Sequence, residues 1–235
     1  MKCELSKEPL YLSFGAGVNS FALYLYLHSL GIEFEAVFSD PGREDPGTYR
    51  VVEGFVSGGY PVTVLHPIVE GTTNIADWCR KLGHGPFRAF RSCTDKWKHR
   101  PLEKYFKKPC IVFLGIAYDE RHRARITRSK NGKFLYLYPL VDAGITRKDC
   151  VQIIKDAGLP VPPKSGCTIC PFQSRASWWR LARQSPDRFW EAVEIDELSK
   201  KIGLYREPGR LRGLWPPQNV FEEDEGWECQ HCLIV

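Results

Sequence analysis

Cys167-Thr168-Ile169-Cys170 places two thiols three positions apart, directly before Pro171. Such a pair can close half of a zinc site, cycle between dithiol and disulfide, or supply half the thiolates of an iron–sulfur cluster. A second pair, Cys229-x-x-Cys232, stands near the end of the chain. CxxC…CxxC with a long stretch between suits tetrahedral zinc closed by four thiolates. Thiolate softness serves zinc and iron–sulfur clusters alike, so the residues alone leave the metal open, with coincidental spacing as the bland alternative. Cys3, Cys79, Cys110 and Cys150 read as small buried hydrophobes, the default for a free cysteine.

A different chemistry is suggested by Ser13-Phe14-Gly15-Ala16-Gly17-Val18-Asn19-Ser20. Small residues between an apolar run and a helical pattern let backbone N–H groups approach a phosphate, and Ser20 offers a hydroxyl at the helix start. The lysine of a Walker-type loop and the three-glycine dinucleotide spacing are both missing, and a purely structural turn fits equally well. The densest basic run, Glu120 to Arg128 with Lys130 and Lys133, reads either as a solvated loop or as a phosphate clamp, with Arg121 and Arg123 foremost. Arg91, Lys98 and Arg100 could add to it beside Cys93. Trp178, Trp179 and Trp190 fall at helical spacings and read as packing residues, and His84, His99 and His231 carry no ligand signal.

These side chains need a frame. Pro9–Phe14, Phe34–Asp40, Pro61–Pro67 and Cys110–Tyr118 are short, nearly continuous apolar runs, and helical stretches separate them. That pattern predicts a parallel sheet covered on both faces, a Rossmann-like α/β fold. Helices are predicted after the glycine turn, ending at Gly31, and through the stretch from Thr48 to Gly59. A further helix starts at Thr146 and ends at Gly158, and two more lie on either side of Ser185–Pro186. The reading divides the chain into a nucleotide-binding domain at 1–160 and a helical, cysteine-containing extension at 161–235.

At 235 residues, with 43% hydrophobic and 26% charged residues, the chain has an ordinary globular composition and enough length for one substantial core. Its formal charge of +5 suits a nucleotide or nucleic acid without requiring one. No run of eighteen apolar residues is present, so no membrane-spanning helix is expected. The N-terminus lacks the apolar core of a signal peptide, so a cytoplasmic location is expected, and nine cysteines then favour thiols or metal over disulfides.

Beyond these elementary signals, the glycine turn resembles the PP-loop, SGGxDS, of the adenine nucleotide alpha-hydrolase superfamily, with Gly15 and Asn19 at the positions of its first serine and its aspartate. Four further segments resemble the phosphoadenosine phosphosulfate (PAPS) reductase-like branch. Ser39 to Tyr49 is similar to its DTGxExPxTY segment. Arg91-Ser92-Cys93-Thr94 with Lys98 and Pro101-Leu102 is similar to R-x-C-T…K…P-L. Gly115 to Glu120 with Arg123 is similar to G-I-x-x-D-E…R, and Ser165 to Phe172 with the following tryptophans to S-G-C-x-x-C-P-F…W.

The resemblance implies that Ser13, Gly15, Ala16, Gly17, Val18, Asn19 and Ser20 hold the phosphates of ATP or an adenylylated sulfate. Asp40 and Glu44 would line the pocket, and Arg121 and Arg123 would neutralise charge at its mouth. It implies a [4Fe-4S] cluster on Cys93, Cys167 and Cys170, with Cys232 or else Cys229 as fourth ligand, and zinc as the fallback. Glu228-Cys229 resembles the family's catalytic "ECG" tail, which makes Cys229 a candidate nucleophile. Asn19 departs from the aspartate associated with metal-assisted pyrophosphate release, so a magnesium ion and ATP cleavage stay open.

The expected function is adenine-nucleotide-dependent sulfur chemistry, first as ATP-activated sulfur insertion into a nucleic acid. The alternatives are reduction of adenylyl sulfate or PAPS to sulfite, and a non-catalytic binding module with structural zinc. The expected partners are an adenine nucleotide, a nucleic-acid acceptor and a sulfur- or electron-donor protein, with a homodimer left open.

Overall fold

A computed structural model describes residues 8–87, 90–129 and 131–201, without the side chains of residues 200 and 201. Its centre is a five-stranded sheet in the order β3-β2-β1-β4-β5. The strands are β1 Leu10–Ser13, β2 Glu35–Ser39, β3 Thr63–Leu65, β4 Cys110–Leu114 and β5 Phe134–Leu137. Every pairing is parallel, with Leu12 opposite Ala36 on one side and opposite Phe113 on the other.

Successive strand residues point to opposite faces, and two cores follow from that alternation. Leu12, Ala36, Phe38, Ile111 and Phe113 pack with side chains of α1 (Val18–Ser29), α2 (Pro46–Ser57) and α7 (Arg147–Asp156). Tyr11, Val37, Val112 and Leu114 face the other way, onto Leu102 and Phe106 in and just after α5 (Arg100–Tyr105). Burial of both faces explains why the strands read as continuous apolar runs. β5 was not expected from the sequence. Its outer neighbour is part of the basic run, since Arg128 bridges Leu135 and Tyr136 N–H donates to the Thr127 carbonyl at 2.9 Å.

A third core holds the helical extension in place. α3 (Ile75–Leu82) is capped by Asn74, whose side chain accepts from the Asp77 N–H, and closed by Gly83 in the left-handed region. Its Trp78 and Cys79 meet Trp97, Trp178, Leu181, Phe189 and Ile195. The last four belong to α8 (Arg175–Gln184) and α9 (Pro186–Lys201), which part at Ser185–Pro186 as expected. Arg80 and Arg43 also pair with Glu191 of α9, and Arg80 pairs with Glu194. Between α3 and α5 the chain makes a short turn, α4 (Ser92–Thr94), and a π-helical turn (Asp95–His99). After β4 come a 3-10 turn (Tyr118–Arg123) and α6 (Pro139–Asp142). Among the described residues, no helix is long and apolar enough to cross a membrane.

Candidate functional site

In open parallel sheets a crevice forms beyond the strand C-termini where the strand order turns, here between β1 and β4. A cavity of about 390 Å³ lies there, with Ser13 and Leu114 from those two strand ends in its lining. Its first wall is the glycine turn. Gly15, Gly17, Val18, Asn19 and Ser20 line it. Gly17 caps α1, so the first N–H groups of that helix, which have no intrahelical partners, face the cavity. Ala16 is buried and left-handed at φ 54°, a strained conformation for a residue with a β-carbon; it supports the turn from behind. The Ser20 hydroxyl accepts from the Gly17 N–H at 3.1 Å and donates to the Gly17 carbonyl at 2.9 Å, so it closes the turn.

Asn19 is the hub of a second wall. Its Nδ2 donates to Glu120 Oε2 at 2.8 Å, and its Oδ1 accepts from Arg147 Nη1 at 3.4 Å. Glu120 Oε1 accepts from Arg123 Nη1 at 2.7 Å. Glu120, Arg123 and Arg147 all line the cavity. Arg147, the first residue of α7, is a site residue that the sequence reading missed. It appeared there only as the residue after the Thr146 cap, and only the packing of α7 on α1 brings it to the turn. Arg121, by contrast, is exposed and lies over the Tyr118 ring at 4.6 Å, away from the lining. Of the cationic side chains in the run, Arg123 alone lines the cavity among the described residues. The later part of the run, at Thr127 and Arg128, is drawn alongside β5.

The third wall carries the thiols. Cys93, Thr94, Trp97 and Lys98 come from α4 and the π-helical turn, and Lys164, Ser165, Gly166, Cys167 and Cys170 from the segment before α8. Arg91, left-handed at φ 42°, sets the start of α4. The cysteine segment is stitched to the loop after β2. Thr168 N–H donates to the Arg43 carbonyl at 2.7 Å, Asp45 N–H donates to the Gly166 carbonyl at 3.0 Å, and Glu44 bridges Cys167.

Burial and the neighbouring Cys170 hold the Cys93 thiol above its ordinary range. Cys167 is held well above it by the hydrogen bond with Cys170, then by burial and the charge of Glu44. Cys93, Cys167 and Cys170 thus share one wall. Cys79, Cys110 and Cys150 are buried, as expected, and Cys3 lies outside the described residues.

Asp40 and Glu44 do not line the cavity; they brace the wall behind it. Asp40 Oδ1 accepts from the Gly42 N–H at 2.8 Å and from the Tyr49 hydroxyl at 2.7 Å. Burial, followed by the hydrogen bond to Asp40, raises the Tyr49 hydroxyl far above its ordinary pKa. Glu44 Oε1 accepts from Lys98 Nζ at 2.8 Å, while its buried Oε2 has no hydrogen-bond partner among the described residues.

Among the described residues no group of three or more His, Cys, Asp or Glu side chains stands as a site for a metal ion. A cluster poses a different geometric demand from a single ion, because each thiolate binds its own iron. For a cluster the wall fits in donor type. It offers three thiols together with the buried Trp97 indole N–H, which has no acceptor among the described residues and suits a sulfur lone pair. Cys229 and Cys232, the expected nucleophile and fourth ligand, lie outside the described residues.

No protein-family model matches the chain, and no curated protein matches its sequence. Among solved structures the fold is similar to the crystal structure of phosphoadenylyl-sulfate (PAPS) reductase from Candida auris in its phosphate complex. The TM-score is 0.50 at 14% sequence identity, covering 68% of this chain and 76% of that one. The described α/β architecture is therefore PAPS reductase-like in fold.

Proposed function

We propose that the chain binds a phosphate-bearing adenine nucleotide at the Gly15–Ser20 turn and performs sulfur chemistry at Cys93, Cys167 and Cys170. The observation that carries this reading is that an anion cradle and the thiols of Cys93, Cys167 and Cys170 line one cavity. The PAPS reductase of similar fold was solved with phosphate, so phosphate and sulfur both have a counterpart in that protein.

Cys93, Cys167 and Cys170 would hold a [4Fe-4S] cluster, with Cys232 or Cys229 completing the ligand set. When bound, such a cluster supplies electrons or an iron that takes up sulfur. The chain's own groups do the positioning. The α1 N-terminus receives phosphate oxygens, Arg123 and Arg147 offset their charge, and Lys98 sets a cation between the thiols and the buried Glu44.

The first reaction is ATP-activated sulfur insertion into a nucleic acid. Supporting it, Arg91 lies over Phe172 at 5.6 Å beside the thiols, a cation–aromatic pair that suits a single strand. The second reaction, reduction of adenylyl sulfate or PAPS to sulfite, is favoured by the likeness in fold.

Anaerobic iron, zinc and sulfide analysis of the wild type beside Cys93→Ser, Cys167→Ser and Cys232→Ser tests the cluster. The expected result is iron and acid-labile sulfide in the wild type, with loss in the variants. A colourless protein with stoichiometric zinc would overturn both reactions in favour of a binding module. Thiolated nucleosides that vanish with Cys167→Ser identify the first reaction, and sulfite released from PAPS or adenylyl sulfate identifies the second.

A further inference from the structure

A phosphate loop must offset several negative charges, and it commonly does so through a divalent cation held by carboxylates. Here the groups that could hold such a cation are already engaged. Asn19 brings no charge, and both polar atoms of its amide are occupied, by Glu120 and by Arg147. Glu120, the one carboxylate in the lining among the described residues, has one oxygen on Asn19 and the other on Arg123. A magnesium ion on either oxygen would sit beside an amide or guanidinium already engaged there.

Arg147 is placed to supply the charge instead. It lines the cavity beside the start of α1, and no carboxylate forms an ion pair with its guanidinium among the described residues. Its backbone is fixed by Asp119 Oδ1, which accepts the Arg147 N–H at 3.1 Å, and by the Thr146 cap of α7. The contact to Asn19 Oδ1, at 3.4 Å, leaves most of the fork available to planar, bidentate recognition of an oxyanion. A second observation points to a ligand at the same place. Ser13, at the end of β1, lines the cavity at 5% exposure, and its hydroxyl has no hydrogen-bond partner among the described residues.

We propose that Arg147, with the α1 N-terminus and Ser13, captures the phosphoryl group at this turn directly, so that the ligand binds without a divalent metal ion. The proposal rests on the phosphate-binding half of the function above and is independent of which sulfur reaction follows.

Calorimetric titration of pyrophosphate and of ADP tests it, each in EDTA and in excess magnesium, on wild type, Arg147→Ala and Arg147→Lys. The wild type is expected to bind both ligands in EDTA at least as tightly as in magnesium, which ties up part of the free ligand. Arg147→Ala should weaken binding about tenfold or more, and Arg147→Lys, which keeps the charge but loses the fork, by less. Tightening of about tenfold by magnesium in the wild type overturns the proposal, and this arm needs no variant to fold. Wild-type affinity in a folded Arg147→Ala protein overturns it as well. If pyrophosphate binds and the adenosine of ADP adds no affinity, the nucleotide reading fails while the Arg147 comparison still decides the proposal. If neither ligand binds the wild type, both are overturned.

Discussion

Ser165 Oγ lies 3.0 Å from the point where a β-carbon on Gly17 would sit, so the cysteine segment rests directly on the phosphate turn. Two glycines at this junction should answer differently to alanine. At Gly17 the obstacle is a hydroxyl that can rotate away, and the backbone there is extended. Gly17→Ala is expected to unfold within about 0.5 kcal/mol of wild type while weakening phosphate binding, because the Ser165 hydroxyl must turn away from the cavity. At Gly115 a β-carbon would meet backbone atoms of Ser20 and Asn19 at 3.0–3.1 Å, and these cannot rotate away. Gly115→Ala should therefore cost about 1–3 kcal/mol in urea unfolding.

Lys98 and Glu44 form an ion pair in which the carboxylate side is fully buried and the amine about one quarter exposed. Removing only the cation strands a buried charge. Lys98→Ala is expected to lose about 3 kcal/mol of stability, measured by chemical denaturation. Combining Lys98→Met with Glu44→Gln removes both charges and should recover most of that loss. A double variant as unstable as the sum of its parts would show that the pair is not the source.

Three thiols well inside the cores set an alkaline limit. Burial chiefly pushes Cys79 and Cys150 up to about 12 and Cys110 up to about 11. Their unfolded values sit near 8.5, so the folded chain keeps protons that the unfolded chain releases. The stabilisation is complete below about pH 8.5 and is lost as pH rises toward 11–12. The melting temperature should fall over that window, and the fall should be shallower in Cys79→Ala and Cys150→Ala than in wild type.

Much of this arrangement was legible in the residues, and the failures have physical causes. Doubly buried parallel strands leave an unbroken apolar run, which is why β1, β2 and β4 could be found. β3, a partly exposed edge strand, was found by its apolar run alone. β5 is four residues long and follows a basic stretch, so its FLYL core was overlooked. Thr146 was recognised as a helix start because its side chain and Asp149 cap each other locally. Nothing local shows that the next residue, Arg147, will meet Asn19, since that depends on how α7 lies against α1. The cysteine motif likewise announced a site, while the placement of Asp40 and Glu44 behind it depends on pairing between distant segments.

The backbone stitches that join Arg43, Glu44 and Asp45 to Gly166, Cys167 and Thr168 also order events during synthesis. The loop after β2 is made early, but its partner segment is made only after β4, β5 and α7. Closing so long a loop is slow, and the contacts reward it only at the end. Until they form, Cys93 waits without the neighbours that shield it in the folded chain, and a newly made protein passes through an interval of exposed thiols.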